Sequence, residues 1–377
     1  MKKRALAILM AALTATTMFA VPTFAADYSG EDPQLEKNIK ILTIWAEDND
    51  NGMLLNKICE DYQKNVNPNF TWEYEMVASD NLQQKIATLA ASNDLPDLFA
   101  YEAGAPLSVL IDSGKVKNIT EAVDEIGTAD YLNSGAVELL KGLSGTDDLY
   151  DLPLGLNVEG FWYNKALFEQ AGCEVPYTDE KLVAAADKIA EWAEKGYFGE
   201  GITTVDMNTA GSMLMNGKAA IFYNGSWFTQ NLTDDSQNSA GEDGIGFFNI
   251  PVADESISSA TSYSMNCGNI LALDNDKYDE ATGWFLKYFM ENVGNVAMEE
   301  QGTVKGYTYD VAADDMDNYT KLVLDEIDKS TEGFAWWEAK MPSEISKTAQ
   351  ENVQPLLNGE MTGEEYMQSI QDVYDMQ

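Results

Sequence analysis

Residues 38–46 (Asn-Ile-Lys-Ile-Leu-Thr-Ile-Trp-Ala) form a nearly continuous apolar run, too short for a core helix and without the alternation of a half-exposed strand. Such a run predicts a strand covered on both faces, the situation in parallel sheets layered with helices. Leu55, Ile58 and Tyr62 then recur at helical spacing. Residues 71–77 alternate in period two, with Trp72, Tyr74 and Met76 on one side. Strand, helix and strand in this order require a crossover, and right-handed crossovers build a doubly wound α/β layer. Asp80 is expected to cap a second helix bearing Leu82, Ile86 and Leu89, and a short strand at 97–101 follows Asn93-Asp94-Leu95-Pro96.

The pattern starts again further along. Residues 184–193 are helical in period, with Ile189 and Trp192, and residues 219–223 (Ala-Ala-Ile-Phe-Tyr) predict another buried strand. Residues 269–273 add a strand, 284–290 an apolar-faced helix, and 364–376 an amphipathic tail. No repeat or low-complexity linker interrupts them. The fold class expected is α/β, with two doubly wound lobes joined by extended strands and a ligand cleft between them. The first lobe is placed at 26–156 with 262–304 and the second at 157–261 with 305–377, hinged near 156–159, 258–262 and 303–308.

Lys2, Lys3 and Arg4 precede an apolar run from Ala5 to Pro22, and Thr23-Phe24-Ala25 offers small residues for cleavage. Residues 1–25 therefore read as a signal peptide. Thr14, Thr16 and Thr17 interrupt the run and Pro22 ends it, so it is poorly suited to span a bilayer. No cysteine adjoins the cleavage point to carry a lipid. The chain is expected in the periplasm or outside the cell, as a soluble protein. Cys59, Cys173 and Cys267 are odd in number and widely spaced, which suggests buried free thiols rather than a disulfide framework or a metal cluster.

Beyond residue 25 the chain has no arginine and no histidine, only 20 lysines against 63 acids, a net charge of −43. Without imidazole there is no ordinary proton shuttle near neutral pH, and without guanidinium no bidentate clamp for phosphate or carboxylate. The field repels nucleic acid and favours a monomer. The expected ligand is neutral or cationic.

Ligands of open α/β sheets gather at the carboxyl ends of strands. Here those ends read Trp45-Ala46-Glu47-Asp48, Tyr101-Glu102, Asn157-Val158-Glu159-Gly160-Phe161-Trp162 and Asn224-Gly225-Ser226-Trp227. Each offers an aromatic face, a carboxylate or amide, or both. Carboxylate and amide oxygens accept from hydroxyls and aromatic rings cover C–H faces, a pairing that suits a neutral sugar. Trp336 and Trp337 form a further candidate platform, or interlobe packing. Glu47-Asp48-Asn49-Asp50-Asn51-Gly52 looks like the start of a calcium loop, but Ile58 stands where the bidentate Glu belongs. No catalytic residue, metal or cofactor is expected.

Several stretches resemble the extracellular solute-binding proteins of bacterial ABC importers, family 1, the carbohydrate-binding type that includes the maltose-binding protein. They are Leu82 to Phe99, Tyr150 to Glu180 with its Tyr-Asn-Lys block and Ala-Gly-x-x-x-Pro turn, Met215 to Phe228, Glu280 to Gly302 and Leu357 to Tyr366. The resemblance implies a periplasmic-binding-protein-like fold that closes on a mono- or oligosaccharide and delivers it to a membrane permease. It implies that Trp227 stacks on the ligand, that Glu159 accepts from it at the first crossing, and that Tyr101, Glu102 and Asp48 contribute from the first lobe. Cys267, Gly268 and Asn269 would lie near the second crossing. Glu180 runs almost directly into the next helix, so the second lobe is shortened relative to the family. The aromatic that maltose binders carry after their Met-Pro segment is replaced here by Glu344-Ile345-Ser346-Lys347. Two other readings pass the same filter: an amine-binding protein using the negative charge and cation–π contacts, and a secreted glycosidase using paired carboxylates.

Overall fold

The computed structural model describes residues 26–48, 50–164, 182–199, 201–234, 236–251, 259–312, 316–334 and 343–376. Two sheets organise it, each backed by its own apolar core. In the first, β1 (Lys37–Thr43), β2 (Phe70–Met76), β3 (Leu98–Tyr101) and β8 (Ile270–Leu273) lie in the order β2-β1-β3-β8. β1 runs parallel to β2 and β3, and β8 is antiparallel to β3. Ile39, Ile41 and Leu42 are all buried, so β1 is covered on both faces as its apolar run requires.

The helices α1 (Asp50–Asn65), α2 (Ser79–Ala91), α3 (Ala105–Asp112), α4 (Ile119–Ile126) and α5 (Ser134–Ser144) follow the chain around this sheet. α1 buries Leu55, Ile58 and Tyr62, the three residues at helical spacing. Asp80 does not cap α2. Ala78 occupies the cap without a side-chain bond, and Asp80 falls at the second residue of the helix.

The second sheet is built around β4 (Asn157–Asn164). β5 (Ile221–Gly225) flanks one edge of β4. The other edge is shared: β7 (Ser262–Asn266) pairs with residues 157–159, and β6 (Ile245–Asn249) with residues 160–164, all antiparallel. β9 (Glu332–Phe334) extends the sheet by pairing parallel to β7. The core side carries Val158, Phe247 and Tyr263 against Leu214, Phe228, Tyr319 and Val323. α7 (Met207–Met215), α8 (Thr229–Leu232) and α10 (Asn318–Lys329) cover this sheet, α9 (Glu280–Gln301) returns to the first core, and α6 (Leu182–Glu194), α11 (Ser343–Leu357) and α12 (Gly363–Asp375) form a third cluster. α6, α11 and α12 pack on one another around Ile345, Ala349 and Ile370.

β5 is an edge strand and not the fully buried one its apolar run suggests. Ile221 is 46% and Tyr223 49% exposed, while Phe222 between them packs on the second core. A continuous apolar run therefore does not fix burial where one face of the sheet lacks a covering layer.

The chain crosses between sheets at points that partly differ from those expected. Leu156 belongs to the first core and Val158 to the second. Residues 262–266 stay in the second sheet, so the return falls at 267–269. Residues 305–308 remain on the first lobe: the Asn133 N–H donates to the Gly306 carbonyl at 3.0 Å, and the Thr308 N–H to the Tyr131 carbonyl at 2.8 Å. The third crossing comes after Thr308. Cys59 and Cys267 are buried free thiols, and Cys173 lies outside the described residues. Among the described residues no helix is long and apolar enough to cross a membrane.

Candidate functional site

Strand alternation divides β4 between two environments. Val158 and Gly160 face the core, and Gly160 has no room for a side chain because a Cβ would stand 2.6 Å from the Phe247 ring. Glu159 and Phe161 therefore project from the opposite face. Glu159 lies between Gly225 on β5 and Ser264 on β7. Its Oε1 accepts from Asn266 Nδ2 at 2.7 Å, and its Oε2 from Ser264 Oγ at 2.9 Å and the Tyr223 hydroxyl at 3.2 Å. A carboxylate offers about four acceptor positions. Among the described residues three are filled, two on Oε2 and one on Oε1.

Across the strand pair, Gly225 leaves empty the place where a side chain would stand beside Glu159. The Trp227 indole fills it, brought there by the single 3-10 turn at Ser226–Phe228. Indole and carboxylate thus share one face of the sheet. Ser226 Oγ donates to Asn157 Oδ1 at 3.3 Å and accepts from the Val158 N–H at 3.3 Å, tying this turn to β4.

A polar relay leads from here to the first lobe. Asn157 Nδ2 donates to Asn266 Oδ1 at 3.3 Å, the Gly268 N–H donates to the same oxygen at 2.8 Å, and Asn269 Nδ2 donates to the Tyr101 carbonyl at 3.4 Å. Tyr101 ends β3, so the relay joins the carboxyl end of a first-sheet strand to Glu159. Lys305 is 5% exposed and donates to Asn51 Oδ1 at 2.7 Å. It lines a cavity of about 20 Å³ together with Asn157 and Trp227, room for one water.

The hydroxyl end of Tyr223 is desolvated against the sheet even though the residue is half exposed. That burial, reinforced by the Glu159 carboxylate, pushes its ionisation above the ordinary phenol value. Burial and then Glu102 do the same to Tyr101. Both phenols stay protonated near neutral pH, and the Tyr223 hydroxyl donates to Glu159.

Of the residues singled out in the sequence, the structure brings together Tyr101, Asn157, Glu159, Trp227, Gly268 and Asn269. Others are placed differently. Trp45 is half-buried against the first core, its carbonyl accepting from the Tyr74 hydroxyl at 2.9 Å. Glu47 and Asp48 are exposed in the turn before α1, and Glu102 is exposed and accepts from Gln83 Nε2 at 2.7 Å. Asn224 pairs with Gly160, which turns it to the core side, 7% exposed, away from Glu159. Trp162 is in register with Phe222 and Phe247; its side chain, like all of Trp336 and Trp337, lies outside the described residues.

Sequence reasoning missed Tyr223, Ser264 and Asn266. The last two had a signal, since Ser262-Tyr-Ser-Met-Asn266 alternates small polar with large side chains as a half-buried strand does. Among the described residues no group of three or more His, Cys, Asp and Glu could hold a metal ion. The site can accept and donate hydrogen bonds and present rings.

Residues 46–296 match the bacterial extracellular solute-binding protein family. The chain belongs to that family. This solute-binding protein is 28% identical over 127 residues to the alpha-glucosides-binding periplasmic protein AglE of Rhizobium meliloti, a stretch that covers 33% of this chain and 28% of the relative. The match thus spans under a third of that relative's length. Among solved structures, a chitin oligosaccharide binding protein superposes with a TM-score of 0.75 at 18% identity, over 90% of this chain and 98% of the other. A protein solved with mannotriose bound, CpMnBP1, superposes with a TM-score of 0.68 at 17% identity, over 89% and 99%. At these identities the likeness is one of fold: two lobes of mixed α and β structure.

Proposed function

We propose that this protein is an exported, non-enzymatic receptor that closes its two lobes on a neutral mono- or oligosaccharide and hands it to the permease of an ABC importer. The observation that carries the reading is Glu159, a carboxylate held by three donors on a sheet face beside the Trp227 indole, at the crossing between lobes. Hydroxyls bond to such a carboxylate, and an indole covers the C–H face of a pyranose. The names of the relatives support the same class: alpha-glucosides, a chitin oligosaccharide and mannotriose.

The lobes would be 26–156 with 267–308, and 157–266 with 309–377. Closure is then a hinge motion at 156–157, 267–269 and the segment after Thr308, with ligand contacts to both lobes favouring the closed state. Among the described residues the partners of Glu159 are three hydrogen-bond donors and not a second carboxylate, which does not favour a glycosidase pair.

Titration calorimetry against neutral sugars is the test. Heat on binding at least one sugar, lost in Trp227→Ala and unchanged between low and high salt, is the expected outcome. Binding of an amine that weakens with salt would replace the sugar by a cation, and no response to any neutral sugar would overturn the proposal.

A further inference from the structure

The face that carries Glu159 does not end there. One step along β4, Phe161 stands directly opposite Tyr223 on β5 and Phe248 on β6, so three rings lie in a row across the sheet. Phe161 and Tyr223 meet edge to face, their centroids 5.4 Å apart, and Phe161 and Phe248 stack at 5.2 Å. The row is open to solvent at Tyr223, 49% exposed, and half-buried at the two phenylalanines. Phe161 lies about 6.6 Å beyond Glu159 by strand rise, the scale of one pyranose ring.

Tyr223 connects the row to the polar site. Its hydroxyl donates to Glu159 while its ring packs on Phe161, so the position of the ring is fixed by the same bond that orders the carboxylate. A ligand with hydroxyls on its edges and apolar C–H groups on its faces matches this sequence of surfaces. One sugar ring bonded to Glu159 would lie against the Trp227 indole beside it. The aromatic row then needs a second.

We infer that the row Tyr223–Phe161–Phe248 is a second stacking subsite continuous with Glu159, and that the ligand is a neutral oligosaccharide of at least two rings rather than a monosaccharide. This rests on the sugar-binding reading above. The occupant is argued from that continuity, since the row shares a residue with the site and rings held rigid in a sheet lose little entropy on stacking.

The experiment compares calorimetric affinities for chitotriose, mannotriose and maltotriose with those for their monosaccharides, using the wild type, Phe248→Ala and the milder Phe248→Leu. The expected result is that a trisaccharide binds the wild type at least tenfold more tightly than its monosaccharide. Phe248→Ala should then lose about tenfold on the trisaccharide, roughly 1.4 kcal/mol, with the monosaccharide affinity unchanged. Phe248→Leu keeps the packing volume and should show the same selective loss should Phe248→Ala fold poorly. Equal affinities for one ring and three overturn the subsite while leaving the sugar-binding proposal intact. Equal losses on both ligands assign Phe248 a structural role only and also overturn it. A wild-type dimer in sedimentation that Phe248→Leu dissolves gives the row to a second copy of the chain. No binding of any of these sugars overturns both readings.

Discussion

Trp227 lies over Gly225 in the space where a side chain would stand: a Cβ on Gly225 would be 2.0 Å from the indole. The absence of a side chain at one strand residue thus sets the position of an aromatic ring two residues later. Gly225→Ala is expected to displace the indole from the face that bears Glu159. Sugar affinity should fall about tenfold or more, while the fold, with an extended backbone at that residue (φ −87°), loses no more than about 1–3 kcal/mol from overpacking. Calorimetry and chemical denaturation on one preparation check both, and unchanged affinity would contradict the placement of Trp227.

Glu159→Gln tests the carboxylate. The Ser264 and Tyr223 hydroxyls can turn to accept from the new amide, so stability should change by about 1 kcal/mol or less. The bond to a ligand hydroxyl loses its charge assistance, and affinity should drop about tenfold. A variant that binds as tightly as the wild type would remove Glu159 from the site.

Asp151 predicts a dependence of stability on pH. It is 1% exposed beside Cys267 and Tyr307, and among the described residues no side chain bonds to its carboxylate. Burial pushes its ionisation up to about 7 from 3.8. Between those values the folded chain holds a proton that the unfolded chain has released. Stability from this group is therefore complete below about pH 4, declines by about 1.4 kcal/mol per pH unit as pH rises to about 7, and is flat above that. Denaturation midpoints at pH 4.5 to 8 should show the decline, and Asp151→Asn should flatten it. A slope that persists in the variant would assign the effect to other groups.

Thr362 and Glu365 form a capping box at the start of α12: Thr362 Oγ1 accepts from the Glu365 N–H at 3.2 Å, and the Glu365 carboxylate accepts from the Thr362 N–H at 2.8 Å. Thr362→Ala should cost about 1 kcal/mol in urea denaturation. Sugar affinity should be unaffected, because the cap serves the α6, α11 and α12 cluster.

The parts of the fold legible in the sequence were those set by local periodicity. β1 could be read because residues buried on both faces leave no polar alternation, and α1 because Leu55, Ile58 and Tyr62 mark one helical face. Asp80 was misplaced because an acid in the first turn and an acid at the cap are both favourable and differ by two residues. β5 was misjudged because an apolar run does not report which face of its sheet lacks a cover.

The site divides in the same way. Glu159 and Trp227 were visible as an acid and an indole at strand ends. Tyr223, Ser264 and Asn266 were not, because they meet Glu159 across sequence separations of 64, 105 and 107 residues. Asn224 was included for its type and excluded by its register, which pairs it with Gly160 and turns it to the core.

The sequence by itself determined the chemistry available: lysine as the sole cation beyond residue 25, no imidazole, many acids and indoles at strand ends, and the order of strands and helices. These follow from residue identity and near-neighbour spacing. Only the tertiary structure decided which of those residues share a face. A shift of one residue in strand register exchanges the two faces, and that register is set by long-range pairing and core packing rather than by neighbours in the chain.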